Sequence, residues 1–118
     1  MANAITIKLV VTSNKLPGLS AAARRRVSQA VRKAAFDIEA RAKTKAPVDT
    51  GALKNSIQAR AVDELTSEVI VGVSYGIYQE FGTVRMPAHP YLRPAVEEVR
   101  PAFEAAVAQA IEEAVQSG

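Results

Sequence analysis

The chain has no cysteine and no tryptophan, one histidine, three tyrosines and three phenylalanines in 118 residues. Each shortage closes off a class of chemistry. Without cysteine there is no disulfide framework, iron–sulfur cluster, thiol nucleophile or cysteine zinc site, a composition that suits a reducing compartment. The single imidazole, His89, lies between Ala88 and Pro90 with no carboxylate or second histidine at ligand spacing. It reads as a loop residue, and its isolation removes most histidine metal sites and any conventional Ser-His-Asp triad. Long apolar runs are missing as well. The longest stretch free of Asp, Glu, Lys and Arg is the eleven residues from Val69 to Gln79, well short of the ~18–20 needed to span a membrane. Met1 to Ile5 carries neither the positive region nor the apolar core of a secretory signal, so the expectation is a protein that stays where it is made.

What is present fits one globular domain: hydrophobic residues are 48% and charged residues 23%, enough to bury a core and too apolar for wholesale disorder. Alanine is abundant and aromatics are few, which favours helix packing through small and aliphatic side chains. The net charge of +3 conceals a segregation. Between Ala21 and Ala46 there are eight basic residues against Asp37 and Glu39, whereas from Pro94 to Gly118 there are five glutamates against Arg100. One basic and one acidic helix suit head-to-tail pairing of like chains or binding to a polyanion.

The periodicities predict an α+β fold: a small antiparallel sheet packed on one long N-terminal helix, with a C-terminal amphipathic helix. Ile5, Ile7, Leu9 and Val11 alternate with Thr6, Lys8, Val10 and Thr12, giving a strand over about 4–12. Ser20 is a candidate N-cap for a helix over about 20–45 that Pro47 terminates. Val27, Ala30, Val31, Ala34, Ile38 and Ala42 form its apolar stripe, with Phe36 opposite, beside Arg25, Arg32 and Lys43. A short segment Ala52 to Ser56 leads into a hairpin over about 57–74, with Asp63 to Ser67 as the connection. Tyr75, Tyr78 and Phe81, three apart, read as the buried face of a short helix over about 75–81, closed by Gly82. Residues 83–90 read as loop because Pro87 and Pro90 remove backbone donors. A final helix over about 94–116 starts at Pro94, where proline is tolerated, and carries an apolar stripe of Val96, Val99, Phe103, Val107, Ala110, Ile111 and Ala114. Pro101 falls on its outer face.

Asp49-Thr50-Gly51 has the tripeptide of a homodimeric aspartic protease. Its setting after a basic helix and a proline turn, instead of a hydrophobic strand, favours a turn in which Asp49 or Thr50 caps the next segment. Arg24, Arg25, Arg26, Arg32 and Lys33 could grip phosphates, although Phe36 is the only aromatic among them, and a solvated helix face is the plain alternative. Gly72, Gly76 and Gly82 do not compose a phosphate-cradling loop.

Three runs in order carry a family resemblance. They are Lys43 to Ile57 (with Pro47, Asp49, Thr50, Gly51, Leu53 and Ser56), Val71 to Thr83 (with Tyr78, Glu80, Phe81, Gly82 and Thr83) and Met86 to Ala95 (with Pro87, Pro90, Leu92, Arg93 and Pro94). Together with the long helix before them and the acidic helix after them, they resemble the head-tail joining proteins of lambda-like siphophages. This is the gene-product-ten family, also described as neck, tail-completion or minor capsid components. The resemblance implies a non-enzymatic virion protein made in the bacterial host cytoplasm, without cofactor or metal. It implies a ring of like chains at the head-tail junction, touching other junction and tail proteins and, non-specifically, the DNA passing through. Arg24, Arg25, Arg26, Arg32, Lys33 and Phe36 are the candidate interface or DNA-facing residues. The rival readings are a small basic nucleic-acid-binding module and the aspartic protease.

Overall fold

The computed structural model describes residues 7–12, 18–47 and 51–117. Asp49 and Thr50, and with them the proposed protease tripeptide and its turn, lie outside the described residues, as does the start of the first strand before Ile7. The elements in order are β1 (Ile7–Thr12), α1 (Ala21–Lys45), α2 (Ala52–Ser56), β2 (Ile57–Asp63), β3 (Thr66–Val71), α3 (Gly76–Phe81) and α4 (Leu92–Ser117). The fold is α+β.

Local chemistry fixes the element ends. The Ser20 hydroxyl accepts from the Ala23 N–H at 3.1 Å, capping α1, and Ala46, held extended before Pro47, ends it. Asp63 Oδ1 accepts from Leu65 N–H at 3.0 Å. This tight Asx turn makes the hairpin connection only Glu64 and Leu65, so β3 begins at Thr66 and already ends at Val71, shorter and earlier than alternation alone suggests. A bulge between Ala61 and Asp63 leaves Val62 out of register and exposed.

The sheet has the order β1-β3-β2, with both pairings antiparallel. Helix α1 is the centre of the molecule: one side packs on β2 and β3, and another runs along α4. Val27, Val31 and Ile38 meet Leu53, Ile57, Val69, Val71, Tyr91, Leu92 and Val99 in a single buried cluster, and Ala30, Ala34 and Ala42 of the expected stripe are buried with them. The two long helices set the shape. At about 1.5 Å per residue each is nearly 40 Å long, and the molecule extends 56 × 28 × 22 Å. Its radius of gyration, 16.3 Å, exceeds the about 13.5 Å of a compact chain of this length. No helix among the described residues is long and apolar enough to cross a membrane.

Candidate interaction site

The segment from α3 to the start of α4 is locked by polar contacts that converge on one carboxylate. Glu80 is 5% exposed. Its Oε1 accepts from the backbone N–H groups of Tyr91 (2.9 Å) and Leu92 (2.8 Å), and its Oε2 from that of Arg93 (2.9 Å). A helix start leaves such donors without partners and carries partial positive charge. Glu80 therefore caps α4 from the preceding helix, and α4 begins at Leu92, two residues ahead of Pro94.

Tyr91 completes the lock. It is fully buried, and its hydroxyl donates to the Gly76 carbonyl at 2.8 Å. Burial, reinforced by the negative charge of Glu80, pushes the Tyr91 phenol well above its ordinary range, so it remains a donor. Gly76 is required by space: a Cβ there would stand 2.6 Å from Val71 Cγ1 and 2.8 Å from the Tyr91 hydroxyl. Gly82, at φ 77°, terminates α3, and its N–H donates to the Tyr78 carbonyl at 2.7 Å. Beyond it Thr83 and Met86 exchange backbone hydrogen bonds around an exposed tip, and His89 N–H returns to the Gln79 carbonyl at 2.7 Å. His89 itself is exposed, and Pro87 and Pro90 bracket it in irregular backbone.

The helix faces are the reverse of what aromatic spacing suggests. Gly76 and Glu80 are the buried residues of α3. Tyr75 (40% exposed), Tyr78 (45%) and Phe81 (58%) point outward, and Val84 at the loop tip is fully exposed. The inward face is polar because its task is to hold Tyr91 and the α4 N-terminus. Six residues cannot also bury three aromatic rings on the opposite side. The Arg93 guanidinium lies 5.4 Å from the centre of the Phe81 ring, a cation–π arrangement. Exposed Tyr and Phe beside Arg is the composition of protein-binding hot spots.

The charges segregated in sequence meet within the chain. Arg41 and Lys45 of α1 both hold Glu98 of α4, at 3.0 and 2.5 Å, and Arg26 pairs with Glu113, so the helices run antiparallel. Hydrogen bonds from Lys45 and Arg41 hold the Glu98 carboxyl below its ordinary range. Arg24 reaches Glu64 at 3.2 Å, and Lys33 pairs with Asp37. Among the expected interface cations, Arg25 and Arg32 make no ion pair among the described residues; they are exposed on α1, as is Phe36 at 57%. Glu39 is opposed by burial, which raises its pKa, yet Lys43 and the Ala59 N–H together bring it below its ordinary value. Its Oε1 accepts from Ala59 at 2.7 Å, covering part of the β2 edge. Among the expected motif residues, Leu53 is buried in the core, the Ser56 hydroxyl donates to the Leu53 carbonyl at 2.8 Å, and Gly51, at φ 81°, precedes α2. Among the described residues no three His, Asp or Glu side chains cluster in a way that could hold a metal ion.

The site therefore joins a core lock to an outward aromatic face on an α+β frame. Residues 12–82 match the family described as "Bacteriophage HK97-gp10, putative tail-component". The chain belongs to this HK97-gp10-like family. Its members are phage structural components, so this is a tail-related virion protein. The matched region spans α1 through α3 and stops at Gly82, before the Met86 to Ala95 run and before α4. No curated protein and no solved structure matches the chain.

Within this HK97-gp10-like chain, sequence reasoning missed the role of Glu80, although a signal was present. It is the only acid between Val69 and Val96, placed twelve residues before a helix start. A lone carboxylate in such a segment calls for a buried cluster of N–H donors.

Proposed function

We propose that this HK97-gp10-like protein is a non-enzymatic part of the head-tail junction, where copies form a ring between the filled head and the tail. The observation that carries the reading is the outward face of α3, with Tyr75, Tyr78 and Phe81 exposed on a helix whose position is fixed by Glu80 and Tyr91. A fixed aromatic face loses little conformational entropy on binding, which suits a permanent joint. Ring formation requires unlike surfaces on one subunit, and the elongated, charge-segregated molecule offers them. The motif residues Pro47, Gly51, Leu53 and Ser56 serve the frame of this joint, and Thr83, Pro87 and Pro90 shape its loop.

Deletion of the gene tests the proposal directly. Lysates lacking the protein should contain DNA-filled heads and separate tails, and supplying it in trans should restore tailed particles. Labelled protein should then be seen at the neck by electron microscopy. Intact infectious particles without the protein would overturn the reading.

A contact with passing DNA is a second, compatible role, favoured by Arg25 and Arg32 on the outward face of α1. Two phosphate contacts predict weak duplex binding with a salt slope near −2. Binding unchanged in the double alanine variant would remove this role.

A further inference from the structure

We infer that the aromatic face of α3 in one copy docks on the acidic C-terminal half of α4 in the next copy. The inference rests on the ring reading above and names the surfaces that would make it. Tyr75, Tyr78 and Phe81 share one exposed face; the exposed Arg93 lies over the Phe81 ring, and Arg85 is exposed in the loop that follows. From Val69 to Val96 the sole carboxylate is Glu80, which is buried against the α4 N-terminus. The α3 surface is therefore apolar at its centre, and the charge stacked against it, Arg93, is cationic, so it suits a partner that is apolar at its centre and anionic at its rim.

The same chain carries such a surface. From Pro101 onward α4 has no basic residue at all. Glu104, Val107, Ala108 and Ile111 follow at the i, i+3, i+4, i+7 spacing that aligns them on one flank. Val107 and Ile111 are half-buried, Glu104, Ala108 and Glu112 are exposed, and neither glutamate makes an ion pair among the described residues. On α1, Arg26, Arg41 and Lys45 are already engaged by Glu113 and Glu98 inside the chain, and Arg25 and Arg32, unpaired among the described residues, accompany a single exposed ring, Phe36, against three on the α3 face. DNA fits the α3 face less well: phosphates would satisfy Arg85 and Arg93 and leave three aromatic side chains without a partner.

The two surfaces are far apart on one molecule. The first is anchored at Leu92, the helix start, and the second is centred some 16 residues later, about 24 Å along the axis. Two unlike, separated patches make a heterologous contact, so each docking leaves one free surface at either end and the assembly grows until it closes.

The absence of natural cysteine provides the test. A phage carrying Tyr78→Cys together with Ala108→Cys, both positions exposed, is purified, oxidised and run on a non-reducing denaturing gel. The expected result is a ladder of dimers, trimers and higher multimers of this chain, absent from each single-cysteine phage. Arg93→Glu should lower incorporation into particles about tenfold or more, with recovery when Glu104→Arg and Glu112→Arg are added. Cross-links to a different virion protein, or none in particles that contain the chain, would overturn this inference and leave the junction role standing. A chain missing from purified particles would overturn the junction role itself.

Discussion

The two sides of α3, six residues long, divide the work of the molecule between them. Inward, Gly76 and Glu80 meet Tyr91 and the first N–H groups of α4 at hydrogen-bond distance. Outward, Tyr75, Tyr78 and Phe81 are partly exposed, with Arg93 over the Phe81 ring. The polar side holds the fold together, and the aromatic side is left exposed. Polarity therefore does not tell core from surface here. What decides is whether a side chain's hydrogen-bonding groups find fixed partners.

Substitutions on the two sides should separate sharply. Tyr91→Ala should have the largest effect, about 3–5 kcal/mol, because a buried aromatic is removed and a cavity is left; the measurement is the midpoint of thermal or denaturant unfolding. Glu80→Ala should follow at about 2–3 kcal/mol, since it strands buried N–H donors at a helix start. Glu80→Gln should recover part of that loss, as the amide oxygen still accepts. A Glu80→Ala protein as stable as the parent would refute the capping role. Gly76→Ala should cost about 1–3 kcal/mol through overpacking against Val71 and Tyr91. Phe81→Ala, on the other side, should stay within about 0.5 kcal/mol of the parent in unfolding while particle incorporation drops. A sharp loss of stability would return Phe81 to the core.

The smallest effect is acid sensitivity at one ion-paired carboxyl on each long helix. The carboxyls of Glu39 and Glu98 are both held below the ordinary glutamate value. Their folded-state values are depressed, so their contribution is present at neutral pH and is lost as pH falls below 4.5 through the folded values. Because Glu98 is exposed, added salt should also weaken its pairs with Arg41 and Lys45. Titration of both carboxyls by NMR, alone and in Lys45→Ala, measures the effect.

The frame was legible in the sequence where a local signal dictates local structure. The stripe from Val27 to Ala42, the Ser20 cap, the stop at Pro47 and the Gly82 closure each depend on residues within a few positions of one another. The site was less legible, for a physical reason. Three aromatics at spacings of three mark one face of a helix, but they do not say whether that face looks in or out. That depended on Tyr91, ten residues beyond Phe81, occupying the other side. The fate of the segregated charge was hidden in the same way, because Arg26 and Glu113 are distant in sequence and meet only once α4 folds back along α1. The hairpin was placed too long because Asp63 closes its turn at once, a side-chain effect that alternation does not register.

The clamp at the base of the 82–90 loop has an evolutionary consequence. His89 is tied to Gln79, and the three residues Tyr91 to Arg93 are tied to Glu80, so both ends of the loop are fixed whatever lies between them. Doubling the length of a flexible loop with fixed ends costs only about 0.6 kcal/mol in closure entropy. The tip around Val84 is thus free to lengthen, shorten or change its chemistry while α4 keeps its starting point. A descendant of this chain could exchange the tip to fit a different neighbour and inherit the frame intact.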